Sequence, residues 1–104
     1  VSISGNVSVG QGTVLRNGVK ITGPAIIGKN CVIEDNAVIG PNTSIGDNSV
    51  ISSCDIAQSI VMSDCIIQAS IKIRNSIIAF NSKITGKNND EKVFLLGEGT
   101  QILI

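Results

Sequence analysis

The chain has 104 residues, room for one domain and not two. Eight Lys and Arg balance eight Asp and Glu, and Phe80 and Phe94 are the only aromatic residues. This leaves no basic patch with interleaved aromatics for nucleic acid, no apolar run long enough to cross a membrane, and a core that must be built from Ile, Val and Leu.

Taken in chain order, aliphatic residues recur every six positions: Ile3, Val9, Leu15, Ile21, Ile27, Ile33, Ile39, Ile45 and Ile51. Six fits neither the 3.6 period of a helix nor simple alternation, and a fixed short period means stacked equivalent units. After Ile51 some steps shorten to five, and the series continues through Ile56, Val61, Ile67, Ile73, Ile78 and Ile84. Ile56-Ala-Gln-Ser-Ile-Val61 aligning with Ile73-Arg-Asn-Ser-Ile-Ile78 supports this register.

Three segments per turn predict three buried columns. The first holds Ile3, Ile21, Ile39, Ile56 and Ile73; the second Val9, Ile27, Ile45, Val61, Ile78 and Leu96; the third Leu15, Ile33, Ile51, Ile67, Ile84 and Ile102. Branched aliphatics suit a pleated surface, and each buried one is worth roughly 1.5–3 kcal/mol. Two residues earlier the chain should point inward again, at small residues such as Ala25, Cys31, Ala37, Ser49, Cys54, Ser59, Cys65 and Ser76. One residue before those come Asn6, Gly12, Gly18, Asn30, Asn36, Asn42, Asn48, Asn81 and Gly99, which accept φ > 0 at low cost and can turn the chain between flat faces.

The predicted architecture is all-β: one domain over residues 1–104, a triangular prism of short parallel strands with about five to six turns. The polar stretch 85–95, with Lys-Asn-Asn-Asp-Glu-Lys, is expected to be a loop insertion. Val1 is already in register, so the chain is expected to be a fragment whose natural start lies upstream. Three cysteines without a secretory signal favour free thiols in a reducing, cytoplasmic setting.

The pairs Val9-Gly10, Ile27-Gly28, Ile39-Gly40, Ile45-Gly46 and Leu96-Gly97 resemble the hexapeptide repeat. That family implies a left-handed parallel β-helix, a hand that the period itself does not supply. Gly23-Pro-Ala-Ile-Ile-Gly28, Ile39-Gly-Pro-Asn-Thr-Ser-Ile-Gly-Asp-Asn48, Ser59-Ile-Val-Met62 and the closing Leu-Leu-Gly-Glu-Gly-Thr-Gln-Ile-Leu-Ile are similar to the C-terminal domain of sugar-1-phosphate nucleotidyltransferases. Archaeal-type glucose-1-phosphate thymidylyltransferases are the nearest likeness. The resemblance implies a non-catalytic domain for oligomerisation and for packing on an upstream catalytic domain of the same polypeptide. It implies Mg2+ in the parent enzyme, and no cofactor, metal or catalytic residue in this chain.

The alternative is an acyl-CoA-dependent acyltransferase of the hexapeptide-repeat family. Such enzymes commonly use His as general base, and related zinc enzymes need three His ligands. This chain has no His. The cysteines fall at inward small positions, where a thiol acts as a small hydrophobe. Cys31 and Cys65 share a column two turns apart, roughly 10 Å, beyond disulfide reach. Glu34-Asp35 and Asp90-Glu91 read as solvated corner and loop charges rather than cation ligands.

The outward residue before each column position carries the functional signal. Val14, Val32, Val50 and Ile66 form one aliphatic ladder on an outer face, and Ile26, Ile60 and Ile77 belong to a second. Contiguous apolar patches of this kind mark interfaces, so these seven residues are the candidate interface of a homo-oligomer.

Overall fold

A computed structural model describes residues 1–92 and 94–103, with side chains at 1–86 and 94–103. Among the described residues sixteen strands stack as six rungs, and every strand pairing is parallel. The first rung is β1 (Ser2–Ser4), β2 (Val7–Val9) and β3 (Val14–Leu15). The second is β4 (Lys20–Thr22), β5 (Ala25–Ile27) and β6 (Val32–Glu34), and the third is β7 (Val38–Ile39), β8 (Thr43–Ile45) and β9 (Val50–Ser52). The fourth contains β10 (Asp55–Ala57), β11 (Ile60–Val61) and the start of β12 (Ile66–Arg74). The fifth runs from the end of β12 through β13 (Ile77–Ile78) into β14 (Lys83–Lys92), and the sixth from there through β15 (Leu95–Leu96) and β16 (Gln101–Leu103).

All three columns form in the expected register. Ile3, Ile21, Ile39, Ile56 and Ile73 pair in succession on face one. Val9, Ile27, Ile45, Val61, Ile78 and Leu96 do so on face two. Leu15, Ile33, Ile51, Ile67, Ile84 and Ile102 do so on face three. Column residues from Ile21 to Ile84 are at most 1% exposed, so the interior is a stack of interlocked aliphatics. The five-residue steps cost nothing in register, because a shortened corner leaves the alternation of the next strand intact.

The corners work by two devices. Positive φ occurs at Asn30, Asn36, Asn42, Asn48, Asn75 and Asn81, and also at Ser53, Gln58 and Asp64. The corner geometry is therefore shared by residues with less preference for it than Asn or Gly, because the rungs above and below impose it. At the first corner Gly5, not Asn6, has φ > 0. The second device is a ladder of small polar side chains. Thr13 Oγ1 donates to the Gly28 carbonyl (2.6 Å), Cys31 Sγ to Gly46 (3.1 Å), Ser49 Oγ to Met62 (3.2 Å), Cys65 Sγ to Ala79 (3.1 Å) and Ser82 Oγ to Gly97 (3.3 Å). A small hydroxyl or thiol is needed here because it fits the crowded corner and satisfies a carbonyl of the next rung. Among the described residues no buried side-chain nitrogen or oxygen lacks a partner.

The expected loop at 85–95 is corrected over most of its length. Residues 85–92 continue β14, which pairs with β12 from Ile66↔Lys83 to Ile73↔Lys92. Polar composition reports side-chain preference, whereas β12 offers a continuous row of backbone partners that this segment extends. The insertion shows up as a slipped register: Ser70 faces Lys87 and Lys72 faces Glu91, a bulge in β14. Phe94 then takes an inward position that holds a smaller side chain on every other rung of face two. It packs against the core, and its N–H donates to Ser76 Oγ at 2.7 Å.

Candidate assembly surface

Because the inward column is aliphatic on all three faces, the faces differ most in what points outward. On face one the outward series is Ser2, Lys20, Val38, Asp55 and Lys72. Arg74 lies beside it, ion-paired to Asp55 at 3.1 Å, with its Nη1 donating to the carbonyls of Asp55 (2.9 Å) and Ile73 (3.0 Å). Face one is a charged surface.

Face three carries the first predicted ladder. Val14 pairs with Val32, Val32 with Val50, and Val50 with Ile66, after which Lys83 and Gln101 end the apolar run. Val14 is 41% exposed, while Val32, Val50 and Ile66 are half-buried, each shielded by branched neighbours on the adjoining rungs. Beside this ladder Arg16 pairs with Glu34 at 3.4 Å, so the face has a charged margin.

Face two carries the second ladder: Ser8, Ile26, Ser44, Ile60, Ile77 and Leu95 pair in succession. Ile26 is 59% exposed, Ile60 48%, Ile77 41% and Leu95 82%. Ile26, Ile60 and Leu95 are more exposed than any residue of the face-three ladder, and Ile77 equals Val14; serines at 8 and 44 leave Ile26 and Ile60 standing proud. A shallow depression of about 230 Å³ lies between Ile26 and Ile60, with Ser44 on its lining. The residues that follow each inward position are Gly10, Gly28, Gly46, Met62, Ala79 and Gly97, and none is charged. Gly28 and Gly46 are there for backbone reasons: a Cβ on Gly28 would come within 2.8 Å of Asp47 N, and one on Gly46 within 2.5 Å of Ser63 N. Close approach of successive rungs therefore flattens the same face that the isoleucines make apolar.

The structure thus places Val14, Val32, Val50 and Ile66 together on one face, and Ile26, Ile60 and Ile77 together on another. The two sets do not merge. Leu95 extends the second set, and Phe80 (47% exposed) and Leu103 (82% exposed) are further exposed apolar side chains that the column rule did not flag. Phe80 stands at a corner and Leu103 follows a column residue, so neither belongs to the series from which the ladders were read.

The chemically capable side chains are used structurally. Cys31, Cys54 and Cys65 are free thiols with at most 1% exposure. Burial pushes the Cys54 thiol up to about 12 and raises that of Cys65, which suppresses the nucleophilic thiolate. Glu34 faces Arg16, and Asp35 occupies a positive-φ corner and accepts from Ser52 Oγ at 3.4 Å. Asp47 Oδ1 accepts from the Lys29 N–H at 2.8 Å, tying one corner to the next. The side chains of Asp90 and Glu91 lie outside the described residues. Among the described residues no three His, Cys, Asp or Glu side chains come together as a metal site, and no helix is long and apolar enough to cross a membrane.

A family model described as the GMPPB C-terminal domain matches residues 21–103. No curated protein matches the chain. Solved structures that match include a point mutant of AntD, an N-acyltransferase from Bacillus cereus, in complex with dTDP and Coenzyme A. That likeness is 14% in sequence, with a TM-score of 0.44, over 99% of this chain and 78% of that one.

Proposed function

The chain belongs to the GMPPB C-terminal domain family, left-handed β-helices of nucleotidyltransferases, and on that premise we propose that it is the assembly domain of a sugar-1-phosphate nucleotidyltransferase. Its role is to join copies of the enzyme and to seat the upstream catalytic domain. Catalysis, with its Mg2+, belongs to that domain. The observation that carries this reading is the pair of outward aliphatic ladders, on faces two and three, which gives one apolar surface for each partner. The parent activity we assign is glucose-1-phosphate thymidylyl transfer, from the likeness of Gly23–Gly28, Ile39–Asn48 and the closing segment to those enzymes.

Light scattering coupled to size-exclusion chromatography tests the assembly role. A defined oligomer is expected, and a strict monomer at high concentration would sink the reading. Replacing Ile60 with Lys should raise the dissociation constant at least tenfold, about 1.4 kcal/mol, while the coil stays folded. Turnover of dTTP and glucose 1-phosphate by the protein with its upstream domain, against other nucleoside triphosphates, tests the substrate assignment. Titration with acetyl-CoA addresses the acyltransferase reading. No heat of binding is expected; tight binding would favour that reading instead.

A further inference from the structure

We propose that face two is the contact between two copies of this chain, and that the copies run antiparallel, with the first rung of one against the last rung of the other. This rests on the assembly reading and adds to it the face, the partner and the register.

Charge selects the face. A second copy brings the same charges, so any charged face that meets itself risks like charges in opposition, which costs affinity. Face one carries Lys20, Asp55, Lys72 and Arg74, and face three has Arg16, Glu34 and Lys83. Face two has no charged residue in its outward ladder or in the series Gly10, Gly28, Gly46, Met62, Ala79 and Gly97. It is the face that can meet its own copy without an electrostatic cost.

Area permits it. The molecule measures 29 × 24 × 21 Å, so one face offers at most about 600 Å² and a pair at most about 1,200 Å², which reaches the lower edge of specific interfaces.

Shape selects the direction. In sequence order the ladder reads small, large, small, large, large, large: Ser8, Ile26, Ser44, Ile60, Ile77, Leu95. With the copies parallel, each rung meets itself. Ser44 then faces Ser44 and leaves a gap, while Leu95 meets Leu95 and holds the faces apart. With the copies antiparallel and fully overlapped, Ser8 meets Leu95, Ile26 meets Ile77 and Ser44 meets Ile60. Each serine is then opposite a large aliphatic, and the depression of about 230 Å³ at Ser44 receives Ile60 of the other copy. Leu95, with 82% of its surface exposed, finds its place over Ser8. Such a two-fold contact closes on itself and stops at a dimer.

Chemical cross-linking of the full chain tests the register. Ser8→Cys and Leu95→Cys variants are made separately, mixed, and treated with a bis-maleimide whose reach matches the ~10 Å between packed sheets. The three native thiols are buried, so the background is low. The antiparallel register predicts cross-linked product in the mixture and none in either variant alone, because five rungs, about 24 Å, separate identical positions. Cross-linking of Ser8→Cys to itself would establish the parallel arrangement and overturn the proposal. A dimer by light scattering that yields no cross-link in any mixture would place the contact on another face and also overturn it. A monomer by light scattering would remove the assembly reading itself, together with this inference.

Discussion

Faces one and two are built on matching aliphatic columns and differ most in what points outward. Their inward columns, Ile21-Ile39-Ile56-Ile73 and Ile27-Ile45-Val61-Ile78, are equally buried and equally regular. Yet one face presents Lys20, Asp55, Lys72 and Arg74 to water, and the other presents Ile26, Ile60, Ile77 and Leu95. In a parallel coil the inward half of each strand carries the fold, so the outward half is free to carry solubility on one side and association on another. Strand alternation makes the two assignments independent, since neighbouring residues point to opposite sides.

The most severe test of that equivalence is inside. Ile56→Ala beneath face one and Ile78→Ala beneath face two should each cost about 3 kcal/mol in denaturant unfolding. Costs differing by more than a factor of two would show that the faces are not equivalent within.

Next in size is the corner leading onto face two. Ser76 Oγ donates to the Arg74 carbonyl and accepts from the Phe94 N–H, both at 2.7 Å. Ser76→Ala leaves that N–H without its partner and should cost about 2 kcal/mol. A loss below about 0.5 kcal/mol would mean water or a shifted backbone replaces the hydroxyl.

The inward residue opening face one is Cys54, where face two has Ser59, and this difference should be visible in pH. The Cys54 thiol is raised from 9.0 to about 12, by burial first and by Asp55 as a smaller contribution. Between those values the unfolded chain releases the proton and the folded chain keeps it, so stability falls as pH rises from about 9 toward 12. Unfolding free energies of Cys54→Ala should fall less steeply over that window. Parallel pH profiles for the two proteins would contradict the assignment.

The smallest effect belongs to the face-one ion pair. Arg74 and Asp55 keep 23% and 31% of their side-chain surface exposed. Arg74→Lys retains the charge, loses the paired donors, and should cost about 0.5 kcal/mol and leave the oligomeric state unchanged. A change in mass by light scattering would bring face one into the assembly.

The columns, the inward cysteines and the grouping of both ladders were legible in the residues, because a repeat of fixed period writes each rung's environment into the same position. The stretch 85–92 was not legible. Its polar residues argue for a loop, but whether a segment pairs depends on the open edge of β12, which a local reading cannot see. Nor was the greater exposure of Ile26 and Ile60 over Val32 and Val50, which depends on what stands on the rungs above and below.

By itself, then, the amino-acid series determined a three-faced stack of parallel strands and which residues fill it, since burial must follow the period wherever one side of every strand is closed. Only the tertiary structure decided how far each outward residue projects and how the late insertion is absorbed. Those properties belong to neighbours that are adjacent in space and seventeen or eighteen residues apart in the chain.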